Sequence, residues 1–110
     1  MKNSKVIRRR FIRELWRGLN IVWPVLSALL LFIALLGLVV ATQEGWPLVD
    51  GLYFSFVTGL TIGYGDLVPK IPFSRVIAAV IGLTGIVLTG FIVAVAVEAL
   101  RAALDNERNE

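Results

Sequence analysis

The sequence predicts an all-α membrane protein in which two transmembrane helices flank a short re-entrant helix and a glycine-containing loop. Its 110 residues are 57% hydrophobic and only 17% charged, and the mean hydropathy is +0.81. A soluble domain of this size carries about 25% charged residues. No charged residue falls between Arg17 and Glu44, or between Arg75 and Glu98. Each of these two apolar runs is long enough for a transmembrane helix, which needs ~20 residues.

The predicted elements follow from these runs and from the residues that interrupt them. An outer helix over 20–42 begins with Pro24 in its first turns, where a missing amide costs least. A short helix over 50–60 is too short to span the bilayer, and Asp50 is expected to cap its first turn. A loop over 61–66 returns the chain outward. An inner helix over 73–104 completes a two-helix domain over 20–104, and 105–110 form a polar tail.

Residues 1–19 are predicted to form an amphipathic helix at the membrane interface, because apolar and basic side chains fall on opposite halves of a helical wheel. Its basic side chains are expected to contact anionic lipids of the inner leaflet: Lys5, Arg9, Arg10, Arg13 and Arg17. Two other interpretations of this segment are a nucleic-acid arm and charges that only fix topology. For the first apolar run, the alternative is a cleaved signal peptide. The neighbouring membrane span argues against nucleic acid. The long apolar run, with no small-residue cleavage site after it, argues against a signal peptide.

The charge distribution predicts the orientation of the chain in the membrane. Basic residues are concentrated before the first apolar run, whereas the segment between the runs carries more acidic than basic residues. The positive-inside rule therefore predicts a multi-pass protein of the plasma or inner membrane with both termini in the cytoplasm. The chain has no cysteine and no histidine, which excludes thiol chemistry and histidine metal sites. We expect no enzymatic activity and no cofactor.

The loop over 61–66 reads Thr-Ile-Gly-Tyr-Gly-Asp. Irregular backbone at membrane depth is tolerated where it is buried in protein or lines a water-filled path. Successive carbonyls can face one axis only if alternate residues are left-handed, and Gly63 and Gly65 permit this. Such carbonyls can replace the hydration shell of a cation. The sequence therefore predicts a cation pore. Because one chain supplies only one wall, four copies would form a C4 homotetramer.

The segment over 53–69, Tyr-Phe-Ser-Phe-Val-Thr-Gly-Leu-Thr-Ile-Gly-Tyr-Gly-Asp-Leu-Val-Pro, resembles the pore signature of potassium channels. In organisation the chain is similar to the prokaryotic two-transmembrane (KcsA-like) type. The resemblance implies K⁺ as the permeant ion, bound at the carbonyls of Thr61, Ile62, Gly63 and Tyr64. It also implies a set of residues that support this filter: Tyr53, Val57, Thr58, Gly65 and Asp66.

Two positions depart from the pattern of that family. Leu60 stands where many members have a second threonine. Val57 stands where KcsA-like channels have a glutamate that couples to the filter aspartate. Asp66 is therefore expected to rely on Tyr53 or on water, and the slow inactivation of the filter should differ. The Tyr64 ring is expected to pack against the short helix.

The inner helix contains the candidate gate and hinge residues: Gly85, Gly90, Val97 and Glu98. Gly85 aligns with the hinge glycine of the KcsA-like type. The glycines and alanines of the inner helix are consistent with a gating hinge and equally consistent with close helix packing. Val97 is a candidate constriction of the pore. Glu98 either pairs with Arg101 or contributes to a ring of carboxylates at the inner mouth.

These features predict a potassium-selective channel. The alternatives are a weakly selective cation channel and a non-conducting membrane subunit that modifies other channels. The chain is either a minimal channel or the pore part of a longer one.

Overall fold

The computed structural model describes residues 4–108, with side chains as far as residue 105. Three helices follow one another: α1 (Ser4–Glu44), α2 (Leu48–Gly59) and α3 (Pro72–Arg108). The helices α1 and α3 are long and apolar enough to cross a membrane, and α2 is too short to do so. The predicted order of a long, a short and a long helix is therefore confirmed. The first three residues of the predicted segment 1–19 and the last two of the tail lie outside the described range.

The first helix is longer than the sequence analysis predicted. The described part of the predicted interfacial segment, which begins at Ser4, and the outer helix 20–42 belong to one continuous helix of 41 residues, which corresponds to ~60 Å at 1.5 Å per residue. No glycine–proline pair or other strong breaker separates the two segments. Pro24 therefore lies well inside α1, whereas the sequence predicts it in the first turns of a separate outer helix. Whether the amino-terminal turns lie on a membrane surface stays a prediction.

The second helix begins earlier than predicted, and its cap is different. Pro47 occupies the N-cap position with φ of −56°, and no side chain donates or accepts a capping hydrogen bond there. The prediction that Asp50 caps this helix is therefore wrong. The helix starts two residues before Asp50, because the fixed φ of proline is compatible with a helix start. Asp50 still lies in the first turn, where its negative charge is favourable to the helix dipole.

The third helix also extends beyond its predicted bounds at both ends. Pro72 is its first residue rather than the residue before it, which agrees with the preference of proline for the first helical position. At the other end the helix continues to Arg108, so 105–108 of the predicted polar tail are helical.

The residues group into two compact units, of which Leu26–Thr89 is the first. Each of its three helices contributes a buried stripe at helical spacing. The stripe of α1 contains Leu26, Ile33, Gly37, Val40 and Ala41. The stripe of α2 contains Gly51, Phe54, Ser55 and Gly59. The stripe of α3 includes Ser74, Ile77, Ile81 and Leu88.

Small residues allow α1 and α2 to approach at backbone distance. A Cβ atom at Gly37 would lie 2.5 Å from the Gly51 carbonyl oxygen and 2.6 Å from the Ser55 Cβ. Reciprocally, a Cβ atom at Gly51 would meet the Gly37 carbonyl. Such contacts through glycine are typical of helix packing in membranes. They fix α2 against α1, and thereby fix the start of the loop that follows α2.

The second unit consists of the described residues of Met1–Val25 and Gly90–Glu110. Within it, the amino-terminal half of α1 packs against the carboxy-terminal half of α3. A Cβ atom at Gly18 would lie 2.8 Å from the Val95 Cγ1 atom. Ala99 and Ala103 of α3 are also almost fully buried. This unit therefore holds the two helix halves together through small side chains.

Candidate ion-conducting site

The loop after α2 has an alternating backbone. Left-handed φ values occur at Thr61 (63°), Gly63 (55°) and Gly65 (83°). The sequence analysis expected this conformation at the two glycines, because they adopt it without steric cost. It did not foresee the conformation at Thr61. A β-branched residue with positive φ is a genuine outlier, and such strain is concentrated at functional sites.

Two successive amides of this loop donate to one carbonyl near the end of α2. The Ile62 amide nitrogen lies 2.9 Å from the Val57 oxygen, and the Gly63 amide nitrogen lies 3.2 Å from the same oxygen. The peptide bonds here are trans, so each carbonyl points opposite to the amide of the same peptide group. The carbonyls of Thr61 and Ile62 therefore both point away from α2. They present two oxygens on one side of the loop, as an ion-coordinating wall requires.

The start of the loop is fixed by two further hydrogen bonds. The Thr61 amide donates to the Thr58 carbonyl at 3.1 Å, which places Thr58 directly behind the loop. The Thr61 hydroxyl donates to the Leu60 carbonyl at 2.6 Å. A hydroxyl oxygen that donates one bond keeps lone pairs that can accept another bond or contact a cation.

Tyr53 of α2 interacts with Asp66, the residue that follows the loop glycines. The interaction of the Tyr53 hydroxyl with the Asp66 carboxylate is the main reason why the pKa of Tyr53 lies above its usual value. Asp66 also accepts from the Leu67 amide at 3.1 Å. That Asp66 relies on Tyr53 rather than on water stays a prediction. By contrast, Tyr64 is 68% exposed in the single chain. The expectation that its ring packs against α2 of the same chain is therefore wrong.

Glu44 has a structural role near the loop that the sequence analysis missed. Its two carboxylate oxygens accept from the backbone amides of Lys70, at 2.7 Å, and Ile71, at 3.0 Å. The segment that descends from the loop to α3 is thereby tied to the end of α1. Nearby, Arg75 Nε donates to the Pro69 carbonyl at 3.1 Å. The only sequence signal was that Glu44 is the first charge after a long uncharged run.

Gly85 of α3 packs directly on the carboxyl end of α2. A Cβ atom at Gly85 would collide with the carbonyl group and Cα atom of Gly59. In contrast, a Cβ atom at Gly82 or Gly90 would meet nothing within 4 Å in the chain. Close packing therefore accounts for the glycine at 85, whereas the glycine at 90 has no such requirement within the chain.

The remaining gate candidates lie on the carboxy-terminal half of α3. Val97 is half-exposed and lines a shallow depression together with Leu100, Arg101, Leu104 and Asp105. The Glu98 carboxylate lies 3.5 Å from the Arg101 guanidinium, one helical turn away, and both side chains are exposed. The simpler of the two Glu98 interpretations, pairing with Arg101, thus has a direct structural basis. Exposed pairs of this kind contribute little to stability.

Comparison with known protein families identifies the family to which the chain belongs. Residues 15–102 match the family described as ion channel. The chain belongs to this ion channel family. This family is one of ion channels and not of enzymes, and the two long apolar helices of the chain are those of a membrane protein.

The channel is similar to parts of several potassium channels. It is 49% identical over 43 residues to potassium channel subfamily K member 17 of Homo sapiens, covering 39% of this chain and 13% of that protein. It is 46% identical over 52 residues to two-pore potassium channel 1 of Arabidopsis thaliana, covering 47% and 14%. It is 49% identical over 37 residues to a voltage-gated potassium channel of Aeropyrum pernix, covering 34% and 12%.

These matches relate the channel's pore domain to potassium channels. They span only 12% to 14% of the length of these relatives. No solved structure is significantly similar to the chain.

Proposed function

We propose that this protein conducts K⁺ selectively, down its electrochemical gradient, through a filter of backbone carbonyls. The observation that carries the proposal is the common direction of the Thr61 and Ile62 carbonyls, which follows from the two amide bonds to Val57. The left-handed Gly63 and Gly65 allow the carbonyls of Gly63 and Tyr64 to continue the same wall. Four levels of carbonyl oxygens would then replace the water that surrounds a K⁺ ion.

A closed cage requires four chains around one axis, so the functional unit is a C4 homotetramer. The exposure of the loop and of α3 in the single chain supports this assembly. Ile62 is 49% exposed and Tyr64 is 68% exposed, although both are large side chains expected at membrane depth. Neighbouring chains would cover them, and Tyr64 would then pack against the assembly rather than against its own α2.

Two other functions compete with selective conduction. A weakly selective cation channel would share the fold, but the intact Gly63-Tyr64-Gly65 sequence and the three potassium-channel relatives favour selectivity. A non-conducting subunit that modifies other channels would not need a strained Thr61 or the paired amide bonds to Val57.

The orientation and lipid contacts belong to the same proposal. Both termini lie in the cytoplasm, because the basic residues precede the first span. The basic side chains Lys5, Arg9, Arg10, Arg13 and Arg17 contact anionic lipids of the inner leaflet of the plasma or inner membrane. The carbonyl filter then opens to the outside.

Gating is assigned to the part of α3 that is not packed on α2. Gly90 is the better hinge candidate, because Gly85 is already committed to the contact with Gly59. Val97 would form the constriction, and Glu98 would lie beside the inner mouth.

Purified protein in liposomes tests the proposal directly. In vesicles without an added ionophore, we expect a rapid K⁺ flux down a K⁺ gradient. We expect a much slower Na⁺ flux down an equal Na⁺ gradient. Equal K⁺ and Na⁺ fluxes would favour the weakly selective channel. No flux of either ion, from protein that is tetrameric by mass, would favour the non-conducting subunit.

A further inference from the structure

A groove runs between the two helix halves of the unit that contains the amino terminus. Its volume of about 530 Å³ lies within the 300–1,000 Å³ that are typical of small-molecule sites. The apolar part is lined mainly by Ile21, Val22, Phe91, Ala94 and Val95. Three charged residues line the same groove: Glu14, Arg17 and Glu98. The groove is therefore amphipathic along its length.

The charged end of the groove coincides with the boundary of the membrane spans. Arg17 is the last charge before the first uncharged run, and Glu98 is the first charge after the second. Both line one groove, so its charged end lies at the level of lipid headgroups. Ile21 and Phe91 follow one to two helical turns further into the uncharged runs, at the level of acyl chains. A ligand with a polar head and an apolar tail fits this arrangement.

The two headgroup-level charges are accessible to a ligand in the single chain. The Arg17 side chain is 72% exposed, and its guanidinium lies 3.7 Å from the more covered Glu14 carboxylate. The Glu98 side chain is 70% exposed, and its partner Arg101 does not line this groove. Exposed pairs of this kind are weak and exchange readily with other partners. The groove thus offers one available cation and one available carboxylate on opposite helices.

We propose that this groove binds one membrane phospholipid with an ethanolamine headgroup. The lipid phosphate accepts from the Arg17 guanidinium, and the lipid ammonium donates to the Glu98 carboxylate. One acyl chain lies along Ile21, Val22, Phe91 and Val95. This site is distinct from the general contact of the basic helix with anionic lipids, because it binds a positively charged group of the lipid as well as a negatively charged one.

The headgroup chemistry distinguishes ethanolamine lipids from the other common phospholipids. A phosphatidylglycerol offers the phosphate to Arg17 but has no cation for Glu98, so its negative charge is repelled by both carboxylates of the groove. A phosphatidylcholine has a positive charge, but its trimethylated nitrogen has no N–H to donate. The carboxylates therefore favour ethanolamine over both.

Mass spectrometry of the intact assembly, titrated with lipids of identical acyl chains, measures this preference without requiring ion conduction. For the wild-type chain we expect phosphatidylethanolamine to bind about three- to fivefold more tightly than phosphatidylcholine. Glu98→Gln should weaken phosphatidylethanolamine binding by a similar factor and should strengthen phosphatidylglycerol binding. Arg17→Gln should weaken the binding of both lipids.

Matched variants control for the loss of one charge. Asp105→Asn removes a carboxylate from the same helix outside the groove, and Lys70→Gln removes a cation outside this unit. Both should bind phosphatidylethanolamine within twofold of wild type. Opposite responses of the two lipids to Glu98→Gln would support the site. Equal affinities for all three headgroups, or unchanged binding in Glu98→Gln, would overturn it. So would a result in which phosphatidylglycerol is the lipid that binds most tightly to the wild type and to both control variants.

Discussion

At the scale of single residues, the backbone of the loop matters more than its side chains. Thr61 holds a left-handed φ at a cost of ~1–3 kcal/mol. It is held there by the hydrogen bonds that its own amide and the next two amides make to Thr58 and Val57. The strain orients two carbonyls in one direction, which is the property that ion coordination requires.

Alanine substitutions at Gly63, in the loop, and at Gly45, outside it, separate the effect of backbone strain on stability from its effect on ion selectivity. A Cβ atom at either position meets nothing within 4 Å, and both have positive φ. Gly63→Ala and Gly45→Ala should therefore each destabilise the protein by ~1–2 kcal/mol, measured by thermal unfolding in detergent. Only Gly63→Ala should lose the preference for K⁺ over Na⁺ in vesicle flux. Loss of selectivity in both variants would show that the backbone at Gly63 has no special role.

The interaction between Tyr53 and Asp66 predicts a specific alkaline titration. Because Asp66 raises the pKa of Tyr53, the phenol stays protonated to higher pH than the usual value of ~10. The stabilising interaction is therefore fully present at neutral pH and is lost as pH rises through the raised pKa. We expect the tyrosinate absorbance of the wild type to contain a high-pH component that Tyr53→Phe removes.

Asp66→Asn provides the control for this titration. It retains Tyr53 but removes the carboxylate, so the high-pH component should shift toward the usual range for tyrosine. An unchanged component in Asp66→Asn would contradict the assignment of this interaction. The same two variants test the expectation that this pair replaces the glutamate–aspartate coupling of KcsA-like channels, since both should alter slow inactivation.

At the scale of helices, the contact between Gly59 and Gly85 connects α2 with α3. The carboxyl end of α2 carries the Val57 and Thr58 carbonyls that hold the loop amides. Since α3 touches that end at backbone distance, a side chain at position 85 must displace either helix. Gly85 therefore serves packing first, and a hinge at this position would have to break the contact.

Gly85→Ala and Gly82→Ala form a matched pair for this contact. Gly85→Ala introduces a collision with Gly59 and should destabilise the protein by ~1–3 kcal/mol, despite the better helix propensity of alanine. Gly82→Ala meets open space in the chain and should be neutral or stabilising by up to ~1 kcal/mol. Denaturant unfolding in detergent measures both. Equal stability of the two variants would show that the contact is not tight.

The sequence predicted the elements well and their ends less well. The uncharged runs and the loop motif identified two long helices, a short one and the position of the loop. The break expected before Asn20 was wrong in the described residues, because a change from basic to apolar composition does not interrupt hydrogen bonding in a helix. The Asp50 cap was wrong because Pro47 starts α2 earlier.

The missed features of the candidate site depend on tertiary contacts. Glu44 meets the amides of Lys70 and Ile71 across 26 and 27 residues, and no local pattern encodes that pairing. Likewise, the partner of Gly85 is Gly59, so its role could not be separated from that of Gly82 or Gly90 by spacing alone. The left-handed Thr61 follows from bonds to α2 rather than from threonine itself.

At the scale of the whole molecule, the proposed carbonyl filter requires more than one chain. It presents carbonyls on one side of a loop and leaves large apolar side chains uncovered: Ile62, Tyr64, Leu83, Ile86 and Val87 among others. Assembly of four chains would bury this surface and close the carbonyl wall around an axis. Selective conduction by this protein therefore depends on where the permeant ion lies relative to four copies of the loop.

Anomalous diffraction from crystals grown with Rb⁺ or Tl⁺ in place of K⁺ tests that claim most directly. Both ions resemble K⁺ in charge and size and can be located by their scattering. We expect a row of anomalous peaks on a four-fold axis, at the levels of the carbonyls of Thr61, Ile62, Gly63 and Tyr64. Ordered loops without axial peaks, or an assembly that lacks four-fold symmetry, would contradict it.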